Sequence, residues 1–194
     1  MRLRIFLFLL CNFFISVYAQ SYKSTELDSL YREDQIYVGV TYNALINLPA
    51  GASQNSFSTG FHLGVIRDIP INKRRNVAIG LGLGYAINTF NQNIRISDSS
   101  SPTYTILEGV DYSKNNFSQH LIEVPLEFRW RTSTAETYKF WRIYTGLKLG
   151  YLLASKSVYK GFPEDETHRG LSGVNALQYG LTLSVGYNTW NGYI

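Results

Sequence analysis

Residues 76–90, NVAIGLGLGYAINTF, alternate with a period of two. Val77, Ile79, Leu81, Leu83, Tyr85 and Ile87 fall on one side, and Ala78, Gly80, Gly82, Gly84 and Ala86 on the other. Successive side chains of an extended strand point to opposite faces, so this strand has one bulky apolar face and one nearly bare face. Against water, consecutive Gly and Ala positions would weaken a strand for no return. Inside a narrow barrel the same bare positions leave room for long side chains arriving from strands opposite. The pattern therefore predicts oil on the outside and a crowded polar interior, the inverse of a soluble barrel.

The repeat recurs along the chain. Dyad segments predict strands at about 35–45, 58–68, 76–90, 118–131, 140–154 and 174–188. In 118–131, Ile122, Val124, Leu126, Phe128 and Trp130 oppose Glu123, Pro125, Glu127, Arg129 and Arg131. In 140–154, Trp141, Ile143, Leu147, Leu149, Tyr151 and Leu153 oppose Arg142, Tyr144, Gly146, Lys148 and Gly150. The strands predicted at 35–45 and 174–188 sort the same way. Fifteen Tyr and 16 Gly against a single Met also favour β structure. Strands of about ten residues match a tilted membrane crossing, and no segment reaches the roughly 20 apolar residues of a transmembrane helix.

Connections alternate in length. Segments 46–57, 91–117 and 155–173 are long and polar, and 69–75 and 132–139 are short. Ile94, Ile96 and the stretch Tyr104–Leu107 predict a hairpin above the sheet inside the long middle connection. The expected fold is all-β, an antiparallel up-and-down transmembrane β-barrel of the eight-strand type with six strands legible. Tyr193 and Ile194 read as the first step of a seventh strand after a turn at 189–191. An even strand count is needed to close such a barrel, so the expectation is a C-terminally incomplete barrel. It would be an open curved sheet with the 35–45 and 174–188 strands as edges.

The first 19 residues have the form of a signal peptide. Arg2 and Arg4 precede an apolar run from Ile5 to Val17, and Val17-Tyr18-Ala19 offers a small-residue cleavage site. The run is too short for a comfortable membrane anchor. Cys11 lies inside it after Leu10, where a lipoprotein would need a small residue, so cleavage leaves no thiol. Residues 20–34 form a polar leader and 35–194 the barrel domain. Removing the signal lowers the formal charge from +4 to +2, because Arg2 and Arg4 leave with it and no acid does. That balance argues against nucleic-acid binding.

Aromatic residues sort by position along the strands. With a periplasmic N-terminus, Trp130, Trp141 and Trp190 fall near the periplasmic ends. Tyr42, Tyr85, Tyr151 and Tyr179 face outward near the opposite ends. Rings half in oil and half wet belong at the two bilayer interfaces. The ten residues from Trp141 to Tyr151 span about 33 Å of strand, or roughly 25 Å of height at the usual tilt. Inside, a register placing 130 opposite 141 sets Glu123 against Lys148 and Glu127 diagonal to Arg142. A small barrel cannot hold free charges in a dry interior, so these pairs are expected to fill it. The barrel then serves as a scaffold for its loops, not as a diffusion pore.

No catalytic constellation emerges. The GLGLG run lacks nucleotide-binding spacing and precedes no helix. His62, His120 and His168 sit in different strands or loops without metal-ligand spacing. Finding His62 or His120 beside a buried acid or serine would revive an enzymatic reading. Glu164–Glu166 reads as a solvated loop tip, and Lys73-Arg74-Arg75 as a charged turn at the interface. No cofactor or metal is expected, and the chain reads as a non-enzyme. The competing readings are a soluble lipocalin-like binder of apolar ligands and an outer-membrane enzyme acting on lipids.

The segments IEVPLEFRWR (122–131), NKRRNVAIGLGLGY (72–85) and WRIYTGLKLGY (141–151) resemble the PorT-like outer-membrane β-barrel proteins of Bacteroidota. The resemblance covers roughly residues 35–191. It implies an eight-stranded barrel in the outer membrane, surrounded by lipid. It also implies an association with type IX protein secretion and its machinery, the role of the best-known members, or with envelope assembly. It implies no catalytic residues.

Overall fold

The computed structural model describes residues 32–54, 56–98, 100–132 and 140–194. The expected signal peptide and most of the expected polar leader lie outside them. Every regular element among the described residues is a strand: β1 (Gln35–Tyr42), β2 (Thr59–Pro70), β3 (Val77–Asn91), β4 (Ile94–Ser97), β5 (Thr103–Ile106), β6 (Tyr112–Arg131), β7 (Trp141–Gly161), β8 (Glu166–Arg169), β9 (Leu177–Tyr187) and β10 (Trp190–Tyr193). The main sheet is antiparallel in the order β1-β2-β3-β6-β7-β9-β10, with β8 added to the far end of β7. β4 and β5 pair only with each other, forming the hairpin expected within 91–117.

The six long strands thus lie in sequence order. On the C-terminal side the edge differs from the expectation. β10 folds back on β9, pairing Trp190 with Tyr187 and Tyr193 with Ser184, so β10 and not β9 borders the sheet there. β6 and β7 also run farther than their dyad segments, to 20 and 21 residues. A crossing needs only about 9–11 residues, so roughly half of each strand extends past the apolar band.

The sheet is strongly curled. Tyr144 on β7 donates a hydrogen bond from its hydroxyl to Glu33 Oε2 at 3.1 Å, although four inter-strand steps separate β7 from β1. On a flat sheet those steps would span about 19 Å, more than the two side chains can bridge. The inner face is where the buried groups lie. Arg129 and Arg131 are 0% exposed and Asp68 1%, whereas Ile36 is 82% and Leu181 87% exposed on the outer face. Polar inside and apolar outside is the arrangement the dyad repeat predicts. A soluble lipocalin-like barrel would have the opposite one.

The glycine stripe of β3 is explained by what crosses it. A Cβ on Gly80 would stand 2.7 Å from Arg129 Nε, so the guanidinium lies directly over this backbone. A Cβ on Gly82 would meet the Pro125 ring at 2.9 Å. Pro125 sits mid-strand in β6, where its missing N–H should interrupt a ladder. The β3–β6 register does skip from Leu81↔Leu126 to Gly84↔Glu123.

Candidate functional site

The inner face carries two charge clusters. The first lies toward the end with the short turns. Asp68 on β2 accepts from Arg131 Nη1 and Nη2, both at 2.8 Å, and from Arg129 Nη1 at 3.2 Å. Arg129 also donates to Glu127 Oε2 at 3.0 Å and Gln35 Oε1 at 2.6 Å. Its guanidinium lies over the Tyr144 ring, 4.4 Å from the centroid. The chain just before β1 closes this cluster. The Glu33 carbonyl accepts from Arg129 Nη1 at 3.2 Å, and the Glu33 carboxylate lies 3.9 Å from Arg131. Asp34 accepts from the Asp68 backbone N–H and pairs with Arg67 at 2.8 Å. Glu33, assigned from sequence to the leader, therefore belongs to the interior, while the Asp34 side chain is exposed beside Arg67.

The second cluster lies farther along. Lys148 Nζ stands 3.2 Å from Glu123 Oε1, and His62 Nδ1 3.1 Å from Glu123 Oε2. The structure thus brings Glu123 and Lys148 together, although not across the expected register. Trp130 faces Ile143 rather than Trp141, and Glu123 faces Gly150. The observed ladder is offset by two residues. An even offset keeps every side chain on its face, so lysine reaches glutamate diagonally. Glu127 and Arg142 are not brought together. Glu127 binds Arg129, while Arg142 faces Arg131 across the ladder and lies over the Phe140 ring at 4.7 Å. Among the described residues, Arg142 Nε is buried without a hydrogen-bond partner.

His62 does stand beside a buried acid, the arrangement named above as reviving an enzymatic reading. Its Nε2 is 3.2 Å from Thr41 Oγ1, but that hydroxyl also donates to Asn43 Oδ1 at 3.0 Å. Glu123 divides its oxygens between His62 and Lys148. The group is a branched network joining β1, β2, β6 and β7, and the threonine proton has an acceptor other than the imidazole. His120 faces outward, with Nδ1 2.5 Å from Tyr85 Oη.

The far end is covered by the long connections, tied to one another. Asn93 accepts from the Ser53 N–H at 2.7 Å and donates to the Gly51 carbonyl at 2.8 Å. Ser172 donates to the Ser100 carbonyl at 2.9 Å. Arg95 on β4 forks onto Glu166 on β8, with Nε 3.1 Å from Oε2 and Nη2 bonded to Oε1. Its guanidinium also lies 4.5 Å above the Tyr159 ring. The Arg95 hydrogen bonds hold the Glu166 carboxyl below its usual value against partial desolvation, with His168 assisting, and the Arg95 pKa is raised by the same pair. Glu166 is therefore a strand residue holding the cap and not a solvated loop tip. Glu164 and Asp165 are exposed. Beneath the cap lies an open cleft of about 320 Å³ lined by Phe90, Phe117, Gln92 and Gln119 among others.

The outward aromatics fall into two sets by register. Trp141 and Trp190 both stand opposite Tyr187, with Trp130 opposite Ile143 on the adjoining strand. Toward the other end Tyr85, Ile122, Tyr151 and Leu177 form one cross-strand row. Tyr179 lies two residues inside that row, opposite Leu149. Tyr42, opposite Thr59, lies four residues beyond it.

An antiparallel curled sheet with an apolar exterior and an ion-paired interior defines a β-barrel protein of membranes. A family model described as outer membrane protein beta-barrel domain matches residues 18–192. The chain belongs to that family, and its place is the outer membrane. Comparison with curated proteins and with solved structures returned no match.

Proposed function

We infer that this chain is a non-enzymatic scaffold of the outer membrane that assists protein secretion, in the manner of PorT-like proteins, or assembly of the envelope. The observation that supports this is the filling of its inner face. Asp68 pairs with Arg129 and Arg131, and Glu123 with Lys148 and His62, where a pore would keep water. Chemistry exposed to a protein partner is then concentrated at the capped end, built from the described residues of 43–58, 92–111 and 162–176. In an outer-membrane barrel the long loops lie outside the cell and the short turns in the periplasm. The secretion role itself rests on the resemblance of 72–85, 122–131 and 141–151 to PorT-like barrels. Deleting the gene and comparing exported, periplasmic and outer-membrane proteins tests it. Cargo accumulating in the periplasm is the expected result. Unchanged proteins in all three fractions would overturn the reading.

A further inference from the structure

The outward faces of β6, β7 and β8 carry a charge pattern beyond the tyrosine row. Lys114 stands directly opposite Lys160, and Lys156 directly opposite Arg169. Directly opposed residues on neighbouring strands share a face, with Cβ atoms about 5 Å apart. That face is the outer one, because the alternate residues Ser155, Ser157 and Tyr159 are buried. Like charges opposed in this way weaken a ladder. Among the described residues, none of the four cations forms an ion pair, and neither does the neighbouring acid Asp165. The inner face of the same sheet pairs nearly all its charges. Two stacked, self-repelling cation pairs on the outside call for an anion that the protein does not supply.

Their height indicates which anion. Lys156 lies five residues past Tyr151, one of them absorbed by a bulge where His120 pairs with Ala154 and Leu121 with Leu152. Four steps amount to about 13 Å of strand, or about 9 Å of height at a 45° tilt. The headgroup layer on each side of a bilayer is roughly 5–8 Å thick. Lys156 and Arg169 therefore stand at the outer margin of the headgroups, with Ser118 directly opposite Lys156 on the same face and His120 two residues below it. Lys160 and Lys114 stand four residues farther out. We propose that these four cations bind the phosphate groups of a phosphorylated glycolipid in the outer leaflet. Sugars carry charge above the acyl chains at more than one height, which matches two tiers of cations better than a single layer of phospholipid phosphates does. The site rests on the orientation given under the proposed function, with the capped end outside the cell.

The test uses the full chain folded in detergent micelles and titrated with phosphorylated lipid A, with bound lipid counted by native mass spectrometry. Wild type should retain this lipid and bind the phosphate-stripped form far more weakly. Lys156→Gln/Arg169→Gln should weaken retention roughly thirtyfold, a factor of about five for each cation at a charged surface. Lys73→Gln/Arg74→Gln, at the short-turn end, should leave it unchanged. Equal binding of both lipid forms by wild type overturns the proposal without recourse to any variant. Undiminished binding by Lys156→Gln/Arg169→Gln overturns it as well, and so does displacement by millimolar inorganic phosphate, which would reveal a simple anion site. Loss confined to Lys73→Gln/Arg74→Gln would overturn it through the orientation, a failure distinguishable from failure of the site.

Discussion

Replacing Asp68 with Asn removes one charge from the most enclosed ionic group in the protein. The Asp68, Arg129 and Arg131 side chains are all 0% exposed. Arg129 would keep Glu127 at 3.0 Å and Gln35 at 2.6 Å. Arg131 would lose both of its bonds to the Asp68 carboxylate and keep Glu33 at 3.9 Å and the Arg75 carbonyl at 3.0 Å. The substituted amide also turns an N–H₂ toward a guanidinium, so one of two 2.8 Å bonds becomes donor against donor. The cost falls on Arg131. Breaking a buried pair by removing one partner costs about 3–5 kcal/mol, and that is the expected loss for Asp68→Asn. Urea unfolding in lipid vesicles, followed by tryptophan fluorescence, measures it. Asp68→Asn/Arg131→Met should recover part of the loss, because the buried cation that faced Asp68 is gone. A single substitution within about 0.5 kcal/mol of wild type, the range of surface changes, would refute the reasoning. It would mean that water reaches the cluster and hydrates it.

Lys148→Met alone should destabilise more than Glu123→Gln/Lys148→Met, since the single change strands a buried carboxylate; equal unfolding midpoints would contradict this. Gly146→Ala should cost about 1–3 kcal/mol as an overpacked position, because its Cβ would meet the Leu126 carbonyl and Glu127 Cα. Gly180→Ala, with nothing within 4 Å of the added atom, should gain up to about 1 kcal/mol through the unfolded state, and urea titration of the two variants should give opposite signs. The Glu166 carboxyl titrates below its unfolded value because of Arg95. Its stabilisation is therefore complete above about pH 4.3 and lost as pH falls through the lower folded value. Hydrogen-exchange protection factors at residues 94–97, corrected for the intrinsic pH dependence of amide exchange, should stay constant from neutrality down to about pH 5 and fall only below about pH 4; a fall between pH 7 and 5 would disprove the link. Brominated lipids labelled at different depths should quench Trp130, Trp141 and Trp190 most strongly at one interface, and mixed depths would contradict the aromatic sorting.

The faces of the strands were legible in the sequence, and their partners were not. Parity alone sets Glu123, Glu127, Arg129 and Lys148 on one side, and a two-residue error in register leaves parity intact. Register depends on the geometry of the connection after β6, about which composition says little. Hence the expected pair Glu123 with Lys148 still forms, on a diagonal, while the expected pair Glu127 with Arg142 does not. Asp68 shares the parity of His62 and is the lone acid of β2, a signal that could have pointed to Arg129 and Arg131. The extensions of β6 and β7 were hidden for another reason. Beyond the bilayer both faces of a strand meet water or cap, so the apolar alternation stops although the ladder continues. β8 is a strand made of Glu, Thr, His and Arg, and only its pairing with β7 reveals it.

The pairing of Asn91 with Asn116 has a consequence for how this molecule can change. β3 and β6 are already neighbours at the point where the chain departs for β4 and β5, so residues 92–111 add no rung to the ladders of the main sheet, and Asn93 and Arg95 tie them by side-chain bonds to the neighbouring connections named above. Their length is nearly neutral to the rest of the fold, since loop-closure entropy grows only as the logarithm of loop size. The hairpin behaves as an exchangeable fitting on a fixed socket. A shorter turn or an unrelated peptide can take its place while every strand below keeps its register.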